Sequence, residues 1–162
     1  MKEKLIAFDP GNKTGYAVFE VNCNITLLAQ GNFQFKDFSA VGTIIELFEM
    51  YKPSICVVED QYLSANFNSA KKIIEKTSAI TALAYVFGLI VHRVHPKTWQ
   101  SKVLKGFGFN IFTKRQNLKE YSKKICTLLY GITPVSNDVA DAILIGHYFA
   151  SKLLIESVLS KK

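Results

Sequence analysis

The sequence has few cysteines and no long apolar run. Its three cysteines, Cys23, Cys56 and Cys126, are far apart and form no C-x-x-C pair, so we expect reduced thiols and neither a zinc site nor a disulfide framework. The longest apolar stretch, residues 79–91, is interrupted by a threonine and a glycine and is shorter than the ~20 residues that span a membrane. The N-terminus lacks an apolar signal segment, so the sequence predicts a cytoplasmic protein without a membrane span.

Arginine is also scarce, although the chain is basic. Of its 20 basic residues only Arg93 and Arg115 are arginine, and the net charge is +7 at pH 7. Residues 93–124 contain nine basic residues and one acidic residue, a local charge of +8. This concentration predicts a surface for a polyanion such as DNA or RNA, although a lysine-rich solvated surface gives the same count. Because lysine binds phosphate as a point charge, contact with a nucleic-acid backbone is expected more than reading of bases.

The apolar pattern predicts one α/β domain over residues 1–162. Alternating or continuous apolar runs predict strands over 4–8, 15–21, 26–35, 54–58 and 89–94. Helical spacing and capping residues predict helices over 38–51, from Asn68 or Ser69 to about 87, 96–104, 113–129 and 137–159. Strands first, then alternating helices and strands, indicate a mixed sheet flanked by helices.

Two of the predicted strands end at a carboxylate. Asp9 ends the first strand, directly before the turn residues Pro10 and Gly11, and Glu59 ends the fourth. An aspartate before Pro-Gly is usually a turn former, and that simpler reading leaves open whether its carboxylate has distant partners. Catalytic groups in α/β sheets commonly lie beyond the ends of central strands, and both acids occupy such positions.

The last predicted helix begins with two further acids. Asp138 and Asp141 are three residues apart, a spacing that places both side chains on one helical face. Asn137 or Asp138 also suits a helix cap, and carboxylates in a first turn gain from the helix dipole. The apolar residues that follow, from Ala140 onward, predict packing against the sheet, which carries the two acids inward.

Four carboxylates that meet in one pocket need protons or metal ions to compensate their charge. Oxygen ligands without cysteine or an obligatory histidine select hard ions, Mg²⁺ or Mn²⁺. Two such ions can activate a water molecule and stabilise the leaving oxygen of a phosphodiester. The acids and the basic segment together therefore predict a metal-dependent nuclease.

Three motifs, in order, resemble the RuvC family of Holliday-junction resolvases. They are Phe8-Asp9-Pro10-Gly11 with Thr14-Gly15, Val57-Val58-Glu59-Asp60-Gln61-Tyr62, and Asn137-Asp138-Val139-Ala140-Asp141-Ala142 leading into His147. The resemblance covers nearly the whole chain. In its small size the chain resembles phage-encoded members of the family more than the bacterial housekeeping enzyme, and such a protein would act in the cytoplasm of a bacterial host. It implies an RNase H-like fold with a mixed five-stranded sheet, a homodimer, and two Mg²⁺ ions for which Mn²⁺ can substitute. The implied activity is paired nicking of four-way junctions and other branched DNA that leaves 5′-phosphate ends.

The resemblance also assigns roles to individual residues. It makes Asp9, Glu59, Asp138 and Asp141 the catalytic metal ligands. Tyr62 falls where the family has an aromatic that stacks on a base, with Phe67 as its rival and core packing as the alternative for each. Further DNA contacts are expected from Lys13, Lys97, Lys102, Lys105, Lys114 and Arg115. The histidines are expected to be structural, with His95 the one to test in proton transfer; the three are His92, His95 and His147.

Other interpretations remain open. A noncatalytic junction-binding or recombination accessory protein would share the fold, and so would an RNase H-like nuclease of RNA. Asp9-x-Gly11-x-x-Thr14 also resembles the phosphate-binding turn of the actin and sugar-kinase folds, but the chain lacks their length and their second glycine-rich turn. The long helix after Glu59 is the family's dimer element, and its apolar residues suit either core or dimer: Ile73, Ile74, Ile80, Leu83 and Ala84.

Overall fold

A computed structural model describes residues 2–11, 13–36, 38–60 and 67–160 of the protein, without the side chains of residues 67–69. The described residues form five strands: β1 (Glu3–Asp9), β2 (Thr14–Val21), β3 (Ile25–Phe33), β4 (Ile55–Glu59) and β5 (Ile90–Val94). They also form five helices: α1 (Phe38–Tyr51), α2 (Phe67–Val86), α3 (Pro96–Gly106), α4 (Arg115–Tyr130) and α5 (Asn137–Leu159). These elements confirm the predicted ones, with bounds that differ by one or two residues.

The five strands form one mixed sheet in the order β3-β2-β1-β4-β5. β2 is antiparallel to both β1 and β3, whereas β4 is parallel to its neighbours β1 and β5. All five residues of β4 are buried, as expected for a strand between two parallel neighbours with helices on both faces. Because β1 and β4 are parallel and adjacent, Asp9 and Glu59 lie at the same edge of the sheet.

Helices cover both faces of the sheet and create two hydrophobic clusters. On one face α3, α4 and α5 pack in a cluster that includes Trp99 and Ile143. On the other face α1 and α2 pack in a cluster that includes Phe48 and Ile80. The edge of the sheet where Asp9 and Glu59 lie is therefore flanked by helices on both faces.

The helix α5 is long and apolar enough to cross a membrane, judged by length and composition alone. Nine of its residues are buried, among them Ile143 and Phe149. Its packing on the sheet is close, because a Cβ at Gly146 would lie 2.3 Å from the ring of Phe19. These contacts are those of a core helix, which an apolar composition serves equally well.

The structure separates the core positions of α2 from its exposed ones. Ile80 and Ala84 are fully buried, and Leu83 is partly buried against the same cluster. Ile74 is 42% exposed. Ile80 and Ala84 therefore serve the core, and Ile74 remains available for contact with another chain.

Candidate active site

The four acids identified in the sequence line one pocket of about 900 Å³. Asp9 and Glu59, at the ends of β1 and β4, are 7% and 9% exposed. The first turns of α5 bring Asp138 and Asp141 to the same edge of the sheet. The structure therefore brings together carboxylates that lie at two strand ends and one helix start.

Close contacts hold the start of α5 against the turn between β1 and β2. The backbone N–H of Lys13 donates to a carboxylate oxygen of Asp138 at 3.3 Å. A Cβ added at Gly11 would lie 2.8 Å from Asp138 Oδ1, and one at Gly15 would lie 2.0 Å from the Asp138 carbonyl oxygen. The absence of side chains at these two glycines allows α5 to approach the turn that follows Asp9.

Ser136 is the N-cap of α5. Its hydroxyl accepts a hydrogen bond from the N–H of Val139 at 3.2 Å, and its backbone is extended. The suggestion that Asn137 or Asp138 is the cap is therefore wrong. With Ser136 satisfying the end of the helix, the carboxylate of Asp138 has no capping role and can line the pocket.

Glu59 is held by a residue that sequence reasoning missed. The indole N–H of Trp99 donates to Glu59 Oε1 at 2.8 Å, and Trp99 is 1% exposed. Pro96 begins α3 and His95 caps it by accepting from the N–H of Lys97 at 3.2 Å, which fixes the turn that presents Trp99. A buried indole N–H needs a hydrogen-bond acceptor. The lone tryptophan near a helix start was therefore the sequence signal that could have indicated a partner for one of the acids.

Asp141 lies beneath α4, where some neighbouring groups raise its pKa and others lower it. The pKa of Asp141 is raised to about 6, with burial as the largest cause and the charge of Asp138 as a second one that raises it. A hydrogen bond from Ser122 and the positive charges of Lys119 and Arg115 act in the opposite direction. The desolvation cost therefore exceeds the compensation that α4 provides.

At Asp9 the effects that raise the pKa exceed those that lower it by more than at Asp141. Burial raises the pKa of Asp9 well above its usual range, and the charges of Glu59, Asp141 and Asp138 raise it further. Arg115 lowers it. Two neighbouring carboxyls with raised pKa values indicate more negative charge than the surrounding protein compensates.

The donor set of the pocket fits a hard divalent cation. It offers four carboxylates and no cysteine, and carboxylate oxygens are the ligands that Mg²⁺ and Mn²⁺ prefer. Across residues 2–11, 13–36, 38–60 and 67–160, no three His, Cys, Asp or Glu side chains are close enough together to hold a metal ion as they stand.

These pKa values predict how the stability of the metal-free protein depends on pH. A carboxyl whose pKa is raised in the folded state keeps a proton that the unfolded chain releases, so stability falls as the pH rises between the two values. For Asp141, from its usual 3.8 to about 6, the loss is on the order of 3 kcal/mol and is complete above the folded pKa. Urea denaturation in EDTA from pH 4.5 to 8 should show this decline.

Asp141→Asn is the control for the pH prediction. Because the amide cannot ionise, the variant should lose the part of the decline that belongs to this side chain. A pH profile identical in the variant and the parent protein would contradict the assignment of the raised pKa to Asp141.

Of the residues predicted to contact DNA, one lines the pocket and the others that the structure describes lie outside its lining. Arg115 lines it together with Lys119 and Lys123, two lysines that sequence reasoning did not single out as site residues. The others are exposed on α3, at the start of α4 or in the turn after β1: Lys97, Lys102, Lys105, Lys114 and Lys13. Tyr62 and the side chain of Phe67 lie outside the described residues.

Lys76 is a cation at the site that no sequence pattern indicated. From α2 its Nζ donates to the carbonyl oxygen of Gly11 at 2.6 Å, across 65 residues of chain. Burial lowers the pKa of Lys76, while the charges of Asp138 and Asp9 raise it. Lys76 therefore connects α2 to the turn between β1 and β2. It adds a positive charge near the acids that does not come from the basic segment 93–124.

The histidines have structural contacts. The ring of His92 lies 4.4 Å from that of Phe149, and Nδ1 of His147 lies 2.6 Å from the hydroxyl oxygen of Tyr130. His95 caps α3. Within the described part of the chain none of the three lines the acidic pocket, so the contacts favour the structural role predicted for them.

No protein-family model matches the chain. The crossover junction endodeoxyribonuclease RuvC of Rhodospirillum rubrum is 27% identical to it over 164 aligned positions, which cover 93% of each protein. This chain is similar to RuvC.

Solved structures extend this likeness to the fold. Thermus thermophilus RuvC in complex with a Holliday junction superposes on the RuvC-like chain with a TM-score of 0.73 at 20% identity, over 95% of this chain and 96% of that one. The fowlpox virus resolvase, also with Holliday junction DNA, has a TM-score of 0.65 at 17% identity, over 93% and 99% of the two chains. These matches confirm the predicted resemblance and the RNase H-like fold with its mixed five-stranded sheet.

Proposed function

We propose that this RuvC-like protein is a structure-selective DNA endonuclease that resolves Holliday junctions and other branched DNA by metal-dependent nicks. The convergence of four carboxylates in one pocket carries the proposal, and two of them, Asp9 and Asp141, have raised pKa values. The name of the Rhodospirillum relative and the two junction complexes support the choice of substrate. The protein acts as one domain in the cytoplasm, which for a phage-encoded chain is the cytoplasm of the host bacterium.

The four acids would hold two Mg²⁺ ions, with Mn²⁺ able to substitute: Asp9, Glu59, Asp138 and Asp141. When bound, the metal supplies an activated water and charge stabilisation at the leaving oxygen of the phosphodiester. The protein contributes rigid placement, because Asp9 and Glu59 end central strands and Trp99 fixes the orientation of Glu59. Ser122 and the cations of α4 favour the ionised form of Asp141, against the burial that raises its pKa.

Cations of α4 place the substrate. Arg115, Lys119 and Lys123 line the same pocket as the acids and attract the phosphate whose bond is to be cut. Hydrolysis then adds water across the bond between phosphorus and the 3′ oxygen. The products are a 5′-phosphate and a 3′-hydroxyl, the pair of ends that a ligase joins.

Exposed apolar residues support the homodimer. Ile74, Tyr85 and Val86 on α2 are 42%, 64% and 79% exposed, and Ile90 on the edge strand β5 is 60% exposed. Exposed apolar surface of this kind marks a contact with another chain. A two-fold axis beside α2 would give one active site for each of the two strands to be cut.

Cleavage assays on purified protein test the proposal directly. We expect labelled four-way junctions and forks to be nicked in Mg²⁺ or Mn²⁺ and left intact in EDTA, because the acids alone repel the phosphate. Linear duplex of the same sequence should be cut far more slowly. Cutting of linear duplex at the same rate as junctions would contradict the proposed junction selectivity.

Two further outcomes identify the competing functions. Tight junction binding without cutting in either metal would indicate a noncatalytic accessory protein. Preferential cutting of the RNA strand in an RNA–DNA hybrid would indicate an RNase H-like activity. A native gel measures binding and a denaturing gel measures cutting, both with the same protein preparation.

A further inference from the structure

A second cavity, of about 560 Å³, lies between α2 and the segment that leads from β3 into α1. Its volume falls within the range of about 300–1,000 Å³ that is usual for ligand sites. Two kinds of side chain dominate its lining, aromatic rings and ammonium groups: Phe35, Phe38, Lys36, Lys72 and Lys76. Among the described residues that line the cavity, Glu75 is the one acid. We call this cavity the lysine-aromatic cleft.

The aromatic residues of the cleft differ in how they are supported. Phe35 is partly buried and its ring lies 6.2 Å from that of Phe33, which in turn lies 6.4 Å from the ring of Tyr16. Phe38, the first residue of α1, is 91% exposed. Phe35 and Phe38 line the same cavity, which therefore has one ring supported by the core and one that is open to a ligand.

Among the described residues of the cleft, three lysines face one acid, Glu75. Lys72 and Lys76 are four residues apart on α2, and like charges at this spacing repel each other. Burial lowers the pKa of Lys76, the charges of Asp138 and Asp9 raise it, and the charge of Lys72 lowers it. In the described residues neither Lys36 nor Lys72 forms an ion pair, so a bound anion would relieve the repulsion.

The cleft adjoins the acidic pocket. Lys76 lines the cleft, and its Nζ donates to the carbonyl oxygen of Gly11 at 2.6 Å. Gly11 in turn lines the pocket that contains Asp9. A DNA strand held at the acids can therefore continue past the turn into the cleft.

We propose that the lysine-aromatic cleft binds an unpaired nucleotide of branched DNA, with its base stacked on Phe38 and its flanking phosphates beside Lys36 and Lys72. A base matches an exposed aromatic ring because every base has a π-face, and phosphate matches the lysines. The proposal rests on the proposed junction-cutting function. It adds a contact distinct from Tyr62, from Phe67 and from the basic segment 93–124.

Fluorescence binding assays in EDTA test the proposal without cleavage. The probe is a junction that carries 2-aminopurine at an unpaired position beside the branch point. Phe38→Ala should weaken binding by about 5-fold or more, the loss that corresponds to one stacked base. Phe38→Trp should retain binding and fluorescence quenching, whereas Phe38→Leu, apolar but unable to stack, should not.

The lysine contacts are tested by the salt dependence of the same binding. Lys72→Ala should reduce the slope of log affinity against log salt by about 0.7 to 1, the value for one lost phosphate contact. Lys71→Ala is the matched control, since Lys71 is exposed on the same helix but does not line the cleft. Melting curves establish that each variant is folded.

The possible outcomes separate this proposal from the proposed function. Wild-type protein that neither binds nor cuts junctions would remove the proposed function and the cleft with it. If wild-type protein cuts junctions but Phe38→Ala and Lys72→Ala bind as it does, the cleft proposal alone fails. It also fails if Phe38→Leu binds normally, or if Phe38→Ala changes only the oligomeric state, because a second copy of the chain would then occupy the cleft.

Discussion

Asp9→Asn is expected to abolish junction cleavage while making the metal-free protein more stable. The side chain is buried, and the charges of Glu59, Asp141 and Asp138 add to the desolvation that raises its pKa. An amide of the same size removes the buried charge and relieves this repulsion. The melting temperature in EDTA at pH 8 should rise by about 2–4 °C for each kcal/mol regained.

The same substitution should remove the response of the protein to metal. Wild-type protein that binds Mg²⁺ only when folded gains about 2.7 kcal/mol at a Mg²⁺ concentration 100 times the dissociation constant. Asp9→Asn lacks one of the four carboxylates proposed to hold the metal, so its melting temperature should respond much less. Differential scanning calorimetry with and without Mg²⁺ measures this effect independently of DNA cleavage.

Asp60→Asn is the matched control for Asp9→Asn. Asp60 follows Glu59 and lies 3.8 Å from Arg93 in an ion pair whose two side chains are about half exposed, an arrangement worth little energy. The control should cut junctions at the wild-type rate and keep its stability. Full activity of folded Asp9→Asn would overturn the assignment of Asp9 as a metal ligand.

Gly15→Ala is expected to unfold or strongly destabilise the protein. The added Cβ would lie 2.0 Å from the carbonyl oxygen of Asp138, 2.4 Å from its carbonyl carbon and 2.9 Å from the nitrogen of Val139. All three are backbone atoms of the first turn of α5, so no side-chain rotation can relieve the clash. We expect a loss of about 3 kcal/mol or more in the free energy of unfolding.

Any folded fraction of Gly15→Ala should also lose cleavage activity. The shift that relieves the clash moves α5, and α5 carries Asp138 and Asp141. Urea denaturation and a junction assay on the soluble protein measure the two effects. Wild-type stability together with wild-type activity would contradict the close approach of α5 to β2.

Gly42→Ala is the control for the glycine prediction. Gly42 lies inside α1, and a Cβ there would meet no atom within 4 Å. Alanine in a helix interior is more favourable than glycine by about 1 kcal/mol. The two Gly→Ala variants should therefore change stability in opposite directions.

Local patterns were sufficient to predict the elements of this fold. The continuous apolar run that ends at Glu59 indicated a buried strand, and β4 is buried at every residue. Pro96 at a helix start and the glycine after α4, Gly131, which is left-handed, likewise mark boundaries. Such signals depend on a few consecutive residues, so the sequence contains them in full.

The positions of the acids were also predictable, but their energetic state was not. Two strand ends and one helix start can be read from the sequence, and neighbouring parallel strands must end at the same edge of a sheet. The raised pKa of Asp141 depends instead on burial beneath α4 and on the distance to Asp138, with Ser122 and Lys119 opposing the shift. Those quantities exist only after distant elements have packed.

The sequence by itself determined the order of strands and helices, the four carboxylates, the basic segment and the resemblance to RuvC. Tertiary structure alone decided the contacts that make a site of them: Trp99 on Glu59, Lys76 on Gly11, and α5 against Gly15. It also placed the lysine-aromatic cleft beside the acids. The physical reason is that periodicity reports which face of an element is buried, whereas a single contact between residues 40 or 65 positions apart leaves no periodic trace.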